Sequence, residues 1–251
     1  MPNQNDHDSP GEQSALYSNR AADFHSLVTG SLRDKNAVDH YTRLVREHGE
    51  TAAIIDIGCG TGDVLNALST SLQTTRLVGV DVVDDMLDIG RKESLALADS
   101  ASGPSPEFVN SDMHTVSNDY PEFKDAFDLV ISRWTYHHSK DLSRIFSVTQ
   151  SLLKPNGWHV FLSNVVQAFS NSASPATYQV QLSEDFAVTN YALTVEDYLN
   201  ALADSGFMTS EVALYSADHK IVHDPSELWF RKNGSLSTSV FTGIFVAQLV
   251  S

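Results

Sequence analysis

With 251 residues, 41% of them hydrophobic, and a mean hydropathy of -0.19, the chain suits one globular domain with a full core. A formal charge of -16 disfavours a nucleic-acid substrate, because phosphate recognition needs clustered Lys and Arg. One cysteine excludes an internal disulfide, no apolar run is long enough to span a bilayer, and the polar start lacks the features of a signal peptide, so the expectation is a cytoplasmic protein away from membranes.

Residues 1–14 are dominated by Asn, Gln, Asp, Ser, Pro and Gly and read as a disordered tail. From 15 to 48 the apolar spacing is helical, first through Phe24, Leu27, Val28 and Leu32, then through Val38, Tyr41, Leu44 and Val45. Strands are expected near 52–57, 76–81, 107–110, 127–132, 157–163, 210–216 and 241–249, and helices near 61–72, 84–98, 140–153 and 194–205. Alternation of this kind implies crossover connections and a mostly parallel α/β sheet. Lys154-Pro155-Asn156-Gly157 reads as a helix end turning into a strand, and Ser205-Gly206-Phe207 as a glycine helix stop. The segment 164–192 shows no clear periodicity and is expected to be a loop-like lid. Between Pro155 and His219 there is no Lys or Arg against seven Asp or Glu, a bias toward neutral or cationic ligands unless it is only a solvated surface.

The chemistry begins at Ala53-Ile54-Ile55-Asp56-Ile57-Gly58-Cys59-Gly60-Thr61-Gly62, an apolar strand entering a glycine loop that opens a helix. Glycines there allow a sharp turn and close approach of backbone to ligand. Asp63 occupies the place where a dinucleotide fingerprint needs a third glycine, which disfavours nicotinamide redox chemistry. The next strand, Arg76 to Val80, ends in Asp81, at the distance where such folds set an acid on a ribose. Loop and acid together indicate an adenosine-containing ligand without a required pyrophosphate.

Several segments in order then resemble the class I S-adenosylmethionine-dependent methyltransferases, in particular the small-molecule branch typified by the ubiquinone and menaquinone enzymes. These are Ile54 to Gly62, Val78 to Leu87 (VGVDVVDDML), Asn110-Ser111-Asp112-Met113, Phe127 to Ser132 (FDLVIS) and Leu153 to Trp158 (LKPNGW). The resemblance spans about residues 50–165 and implies a Rossmann-like, seven-stranded, mostly parallel sheet with the last strand antiparallel, helices on both faces and a small helical or loop cap. Residues 15–251 would form a single domain, with 15–48 and 164–192 as its lid.

The same resemblance implies S-adenosyl-L-methionine as cofactor. Its amino-acid portion falls to the loop at Gly58, Cys59, Gly60 and Gly62 with Asp56, and its ribose to Asp81. The adenine falls to Asp112 and Met113, with Val82 and Met86 packed on it, and Ser132 completes the cofactor set. Cys59 reads as a small filler, since methyl transfer from a sulfonium needs no thiol. After the fourth strand, Ser132-Arg133-Trp134-Thr135-Tyr136-His137-His138 lies on the rim where open α/β sheets bind ligands. His137 and His138 are candidate general bases, with a loop-holding role the alternative for either. Arg133, Trp134, Tyr136, Asn164 and Tyr17 are candidate acceptor contacts. Asn164 stands where some hydroxyl-methylating relatives carry an acid, and an amide cannot act as a base. His219 and His223 lie where a cap can approach the acceptor, and Trp229 and Phe230 read as cap anchors. No metal is expected. The expected partner is a small-molecule acceptor, the protein a monomer or homodimer. Methyl transfer leads, a cyclase that keeps the cofactor but moves no methyl is the alternative, and a non-catalytic binding subunit stands third.

Overall fold

The computed structural model describes residues 35–166, 177–183, 186–215 and 240–250, with 17–18, 20–22, 221–222, 231–232 and 235–236. The expected tail, His219, His223, Trp229 and Phe230 lie outside the described residues, as does part of the expected lid. After helix α1 (Lys35–Gly49) the order is β1 (Ala53–Ile57), α2 (Asp63–Ser71), β2 (Arg76–Asp81), α3 (Asp84–Leu97), β3 (Glu107–Asn110), the short α4 (Val116–Asp119), β4 (Phe127–Arg133), α5 (Leu142–Leu152) and β5 (Leu153–Val166). Then follow β6 (Thr177–Ser183), β7 (Phe186–Tyr191), α6 (Val195–Asp204), β8 (Phe207–Tyr215), the two-residue β9 (Ile221–Val222), β10 (Arg231–Lys232) and β11 (Ser235–Leu236), and finally β12 (Val240–Leu249).

The main sheet runs β3-β2-β1-β4-β5-β12-β8-β9. β1 to β5 pair in parallel, whereas β12 is antiparallel to both its neighbours, β5 and β8. The expected seven-stranded α/β sheet with an antiparallel last strand is therefore present, with β9 added at one edge.

All five residues of β1 are buried, as a parallel strand covered on both faces must be. The period of two sorts them. Ile55 and Ile57 join Val78, Val130, Phe161 and Phe245 under α5 and α6, while Ile54 joins Leu77, Leu129, Val160 and Ile244 under α1, α2 and α3. Phe161 is fully buried, and truncating such a ring to Ala typically costs about 3–5 kcal/mol. Helix α6 is closed by a reciprocal cap: Thr194 Oγ1 accepts from Asp197 N at 3.1 Å, and the Asp197 carboxylate accepts from Thr194 N at 2.7 Å.

Two local expectations are corrected. β5 starts at Leu153, so Lys154–Gly157 lies within an irregular strand start; the register shifts opposite Phe127–Leu129, and Asn156 absorbs the extra chain at φ 63°. The 164–192 segment is not wholly irregular, since β6 and β7 pair as an antiparallel ladder. Its period was present in Tyr178-Gln179-Val180-Gln181-Leu182, an alternation of apolar and polar residues.

Candidate active site

The sheet order reverses between β1 and β4, and open α/β sheets bind ligands at such a switch point, beyond the carboxyl ends of the strands. A cavity of about 520 Å³ opens there. Four strand ends line it: Asp56 and Gly58–Thr61 at the end of β1, Asp81–Val83 at the end of β2, Ser111–Thr115 after β3, and Arg133–Thr135 at the end of β4.

The glycine loop turns on left-handed residues. Gly58 has φ 72°, and a Cβ there would lie 2.2 Å from the Thr135 side chain, which itself donates to Gly58 O at 3.2 Å. Gly62 has φ 69°, and a Cβ would lie 2.4 Å from the Phe108 ring. Gly62 does not line the cavity; it lets α2 pack close to β3.

Asp81 holds the loop in place. One carboxylate oxygen accepts from Gly60 N at 2.8 Å and the other from Val83 N at 3.0 Å, tying the loop to the start of α3. Burial raises its pKa, opposed by the bonds from Gly60, Val83 and Val82. A carboxylate has about four acceptor positions, so lone pairs remain for ligand hydroxyls.

Asp56 is different. It is 2% exposed, lines the cavity, and its Oδ1 has no hydrogen-bond partner. Burial pushes its carboxyl up to about 8, with Arg133 pulling it down and Asp63 and Asp81 pushing it up. A buried acceptor left open beside a cavity is costly unless a ligand donor meets it. The donor chemistry of an amino-acid ammonium fits that position, and the backbone cradle beside it has no Cβ to obstruct the rest of the ligand.

Arg133 forms an ion pair with Asp63, the residue replacing the third fingerprint glycine; burial opposes its charge, but Asp63 holds it protonated. Its guanidinium lies 5.5 Å from the Trp134 ring centroid. Trp134 sits at φ 55°, uncommon for a bulky residue and a form of strain that clusters at ligand sites. Tyr17 packs with Val82, Val83 and Met86 and lies 3.4 Å (OH to Nε2) from His138. Burial and the nearby Asp81 push the Tyr17 hydroxyl's pKa up, so it stays protonated.

The structure brings together Asp56, Gly58, Cys59, Gly60, Asp81, Val82, Met86, Asp112, Met113, Tyr17, Arg133, Trp134 and His138 around one cavity. It sets others apart. Ser132 is fully buried and donates to Ile57 O at 2.8 Å, joining β4 to β1. Tyr136 is 1% exposed and bonds to His159 Nε2 at 2.9 Å within an aromatic cluster, so it is a core residue. His159 is pushed down to about 3 by burial and stays neutral.

His137 is also in the core. Its Nδ1 lies 3.1 Å from Ser163 Oγ, which meets Tyr198 OH at 2.7 Å, and burial, with His138 adding, drives its pKa well below the ordinary range. Asn164 does not line the cavity; its backbone bonds to His137 and Tyr198. Burial pushes the Cys59 thiol well up, which suits a filler.

Sequence reasoning missed His114, Ser139 and Arg144, all lining the cavity. Only the position of His114 two residues after Asp112 was available as a signal. Among the described residues, no group of three or more His, Cys, Asp or Glu is arranged to hold a metal ion, and no helix is long and apolar enough to cross a membrane.

A glycine loop, an acid after the second strand and a further acid after the third, all at the switch point of a 3-2-1-4-5 sheet, define a nucleoside-binding α/β domain. Residues 54–157 match the sequence profile of a methyltransferase domain, and this part of the chain is a class I S-adenosylmethionine-dependent methyltransferase domain whose cofactor is S-adenosyl-L-methionine. An uncharacterized methyltransferase of Schizosaccharomyces pombe is 30% identical over 115 residues, 46% of this chain and 39% of that one. Demethylmenaquinone methyltransferase of Symbiobacterium thermophilum is 28% identical over 111 residues, 43% of this chain and 41% of that one. The matched stretch thus spans about two-fifths of these relatives' length. In fold, the chain is similar to the [4+2]-cyclase SpnF, with a TM-score of 0.71 at 15% identity and 96% of each chain covered.

Proposed function

We propose that this protein transfers a methyl group from S-adenosyl-L-methionine to an oxygen, nitrogen or carbon of a small-molecule acceptor. One observation carries the reading: a single cavity collects the glycine loop, the open buried acceptor of Asp56, and the acids Asp81 and Asp112 from three consecutive strand ends. When bound, the cofactor supplies a methyl already activated on a sulfonium. The protein's work is then to bind, orient and exclude water, and alignment alone can supply a large part of the rate.

In this reading Asp56 and the backbone of Gly58–Gly60 hold the amino-acid end, Asp81 the ribose, and Asp112 with Met113 the adenine, while Val82 and Met86 pack on its face. Tyr17 covers the cofactor from the amino-terminal segment. Arg133 and Trp134 form the wall toward the acceptor. His138, facing the cavity beside Tyr17, accepts the proton of an acceptor that holds one at neutral pH. His137 supports that loop from the core. The acceptor is neutral or cationic, in keeping with the absence of Lys and Arg between Pro155 and His219 and the net charge of -16. It is not a nucleic acid, and the protein works in solution away from membranes.

The fold likeness to a [4+2]-cyclase over 96% of both chains favours a second reading, a ring-forming enzyme that retains the cofactor without consuming it. Incubation with methyl-labelled adenosylmethionine and a panel of small acceptors separates the two. Label in the product with release of S-adenosylhomocysteine supports transfer; turnover of an acceptor with the cofactor unchanged overturns it.

A further inference from the structure

A polar circuit at one end of the cavity ties Asp112 to four residues that have no part in the scheme above: His114, Ser139, Asp141 and Arg144. Asp112 Oδ1 accepts twice from a single residue: from His114 N at 2.7 Å and from the His114 ring at Nδ1, 2.6 Å away. The other ring nitrogen, Nε2, lies 2.9 Å from Ser139 Oγ, and that hydroxyl oxygen accepts from Asp141 N at 3.0 Å. Asp141 caps α5 by accepting from Arg144 N at 3.0 Å, and Arg144 Nε returns to His114 O at 3.1 Å. The circuit thus closes on itself, joining the loop after β3 to the loop after β4. All five residues line the cavity.

Both bonds fall on Oδ1. Among the described residues Oδ2 takes no bond, although Asp112 borders the cavity. Burial alone would raise the carboxyl's pKa, but the bonds from His114, with Arg144 adding, hold it below the usual carboxylate range. The group is therefore an ionised acceptor with one oxygen fixed and the other turned loose toward ligand. An unsupported aspartate rotates freely about its side-chain torsions, and such freedom weakens discrimination between a donor and an acceptor on the ligand. Geometry held by neighbours is what makes a buried polar contact selective.

We infer that His114 is a positioning and specificity-determining residue: it clamps Asp112 so that the free oxygen reads the exocyclic amine of the cofactor's purine, and Ser139 locks the clamp. The inference rests on the adenosylmethionine reading and goes beyond it in assigning ligand selectivity to a residue that does not itself touch the amine. Nδ1 donates to Asp112, which leaves Nε2 to accept from the Ser139 hydroxyl, so one tautomer satisfies the whole circuit.

The test is calorimetric binding of S-adenosylhomocysteine and of its 6-oxo (inosine) counterpart to the full chain and to His114→Ala, His114→Asn and Ser139→Ala. The wild type should bind the amino ligand at least about tenfold more tightly than the oxo ligand, since a carboxylate facing a carbonyl is repelled. His114→Ala should lose on the order of tenfold in affinity for the amino ligand and most of the preference between the two. His114→Asn, whose amide can still donate to Asp112, should recover part of the preference, and Ser139→Ala should lose less than His114→Ala. Thermal denaturation of each variant identifies those that fold; should His114→Ala not fold, the preference measured in His114→Asn and Ser139→Ala decides. Unchanged preference in the folded variants overturns the role of His114 while leaving the cofactor reading intact. Failure of the wild type to bind S-adenosylhomocysteine overturns the cofactor reading instead.

Discussion

Asp56 carries its proton in the free protein, because its carboxyl is pushed up to about 8 by burial. An ammonium brought beside Oδ1 reverses that preference, so cofactor binding at pH 7 should release roughly one proton. Calorimetry in buffers of differing ionisation enthalpy reads this directly, and Asp56→Asn should abolish the buffer dependence. The sign for stability follows from the same shift. An ordinary carboxyl ionises near 3.8, so between that value and about 8 the folded state holds the extra proton. The contribution is whole below pH 3.8 and is lost as pH rises toward 8; Asp56→Asn should flatten that part of the stability profile. The two histidines divide just as sharply. His138→Ala should lower turnover by about 10²–10⁴ with little change in Tm if the acceptor carries a proton, whereas His137→Ala should lower Tm through its Ser163 contact. The pair is adjacent and chemically identical in sequence, so nothing local could tell which ring enters the core.

At the scale of elements, the central parallel strands β1, β2 and β4 were legible because each is a short, largely apolar run closing on Gly58, Asp81 or Ser132, and burial on both faces leaves little else such a run can become. The cavity acids were legible for a related reason: Asp56 sits one residue before the end of β1, Asp81 ends β2, and Asp112 stands two residues past β3. What escaped is tertiary. The start of β5 is drawn into the sheet by pairing of Leu153 with Phe127 despite Pro155 and Gly157, and the β6–β7 ladder forms from two short strands of mixed apolar and polar residues. His114 escaped because its partner Ser139 is 25 residues away on another loop. The reciprocal cap of α6 gives a measurable element-level effect. Thr194→Ala removes one side of it and should cost about 1 kcal/mol in urea unfolding, with the slope of the transition unchanged.

For the molecule as a whole, a charge of -16 in 251 residues means that like charges repel throughout the compact state. Raising the ionic strength from about 0.01 M to 0.15 M shortens the screening length from about 30 Å to about 8 Å, so Tm should rise with added sodium chloride. A fall in Tm over that range would mean that specific ion pairs outweigh the general repulsion. The position of β12 has a consequence in time. It is the last strand in sequence, yet it lies between β5 and β8 and pairs with both. During synthesis, the first five strands can assemble while β5 still presents a bare edge, and β8 has only the two-residue β9 to pair with. Until residues 240–249 have emerged, the nascent chain carries an open strand edge, the feature through which partly made sheets aggregate. The interval between translating β5 and β12 is therefore the period in which this protein depends most on being kept apart from its own copies.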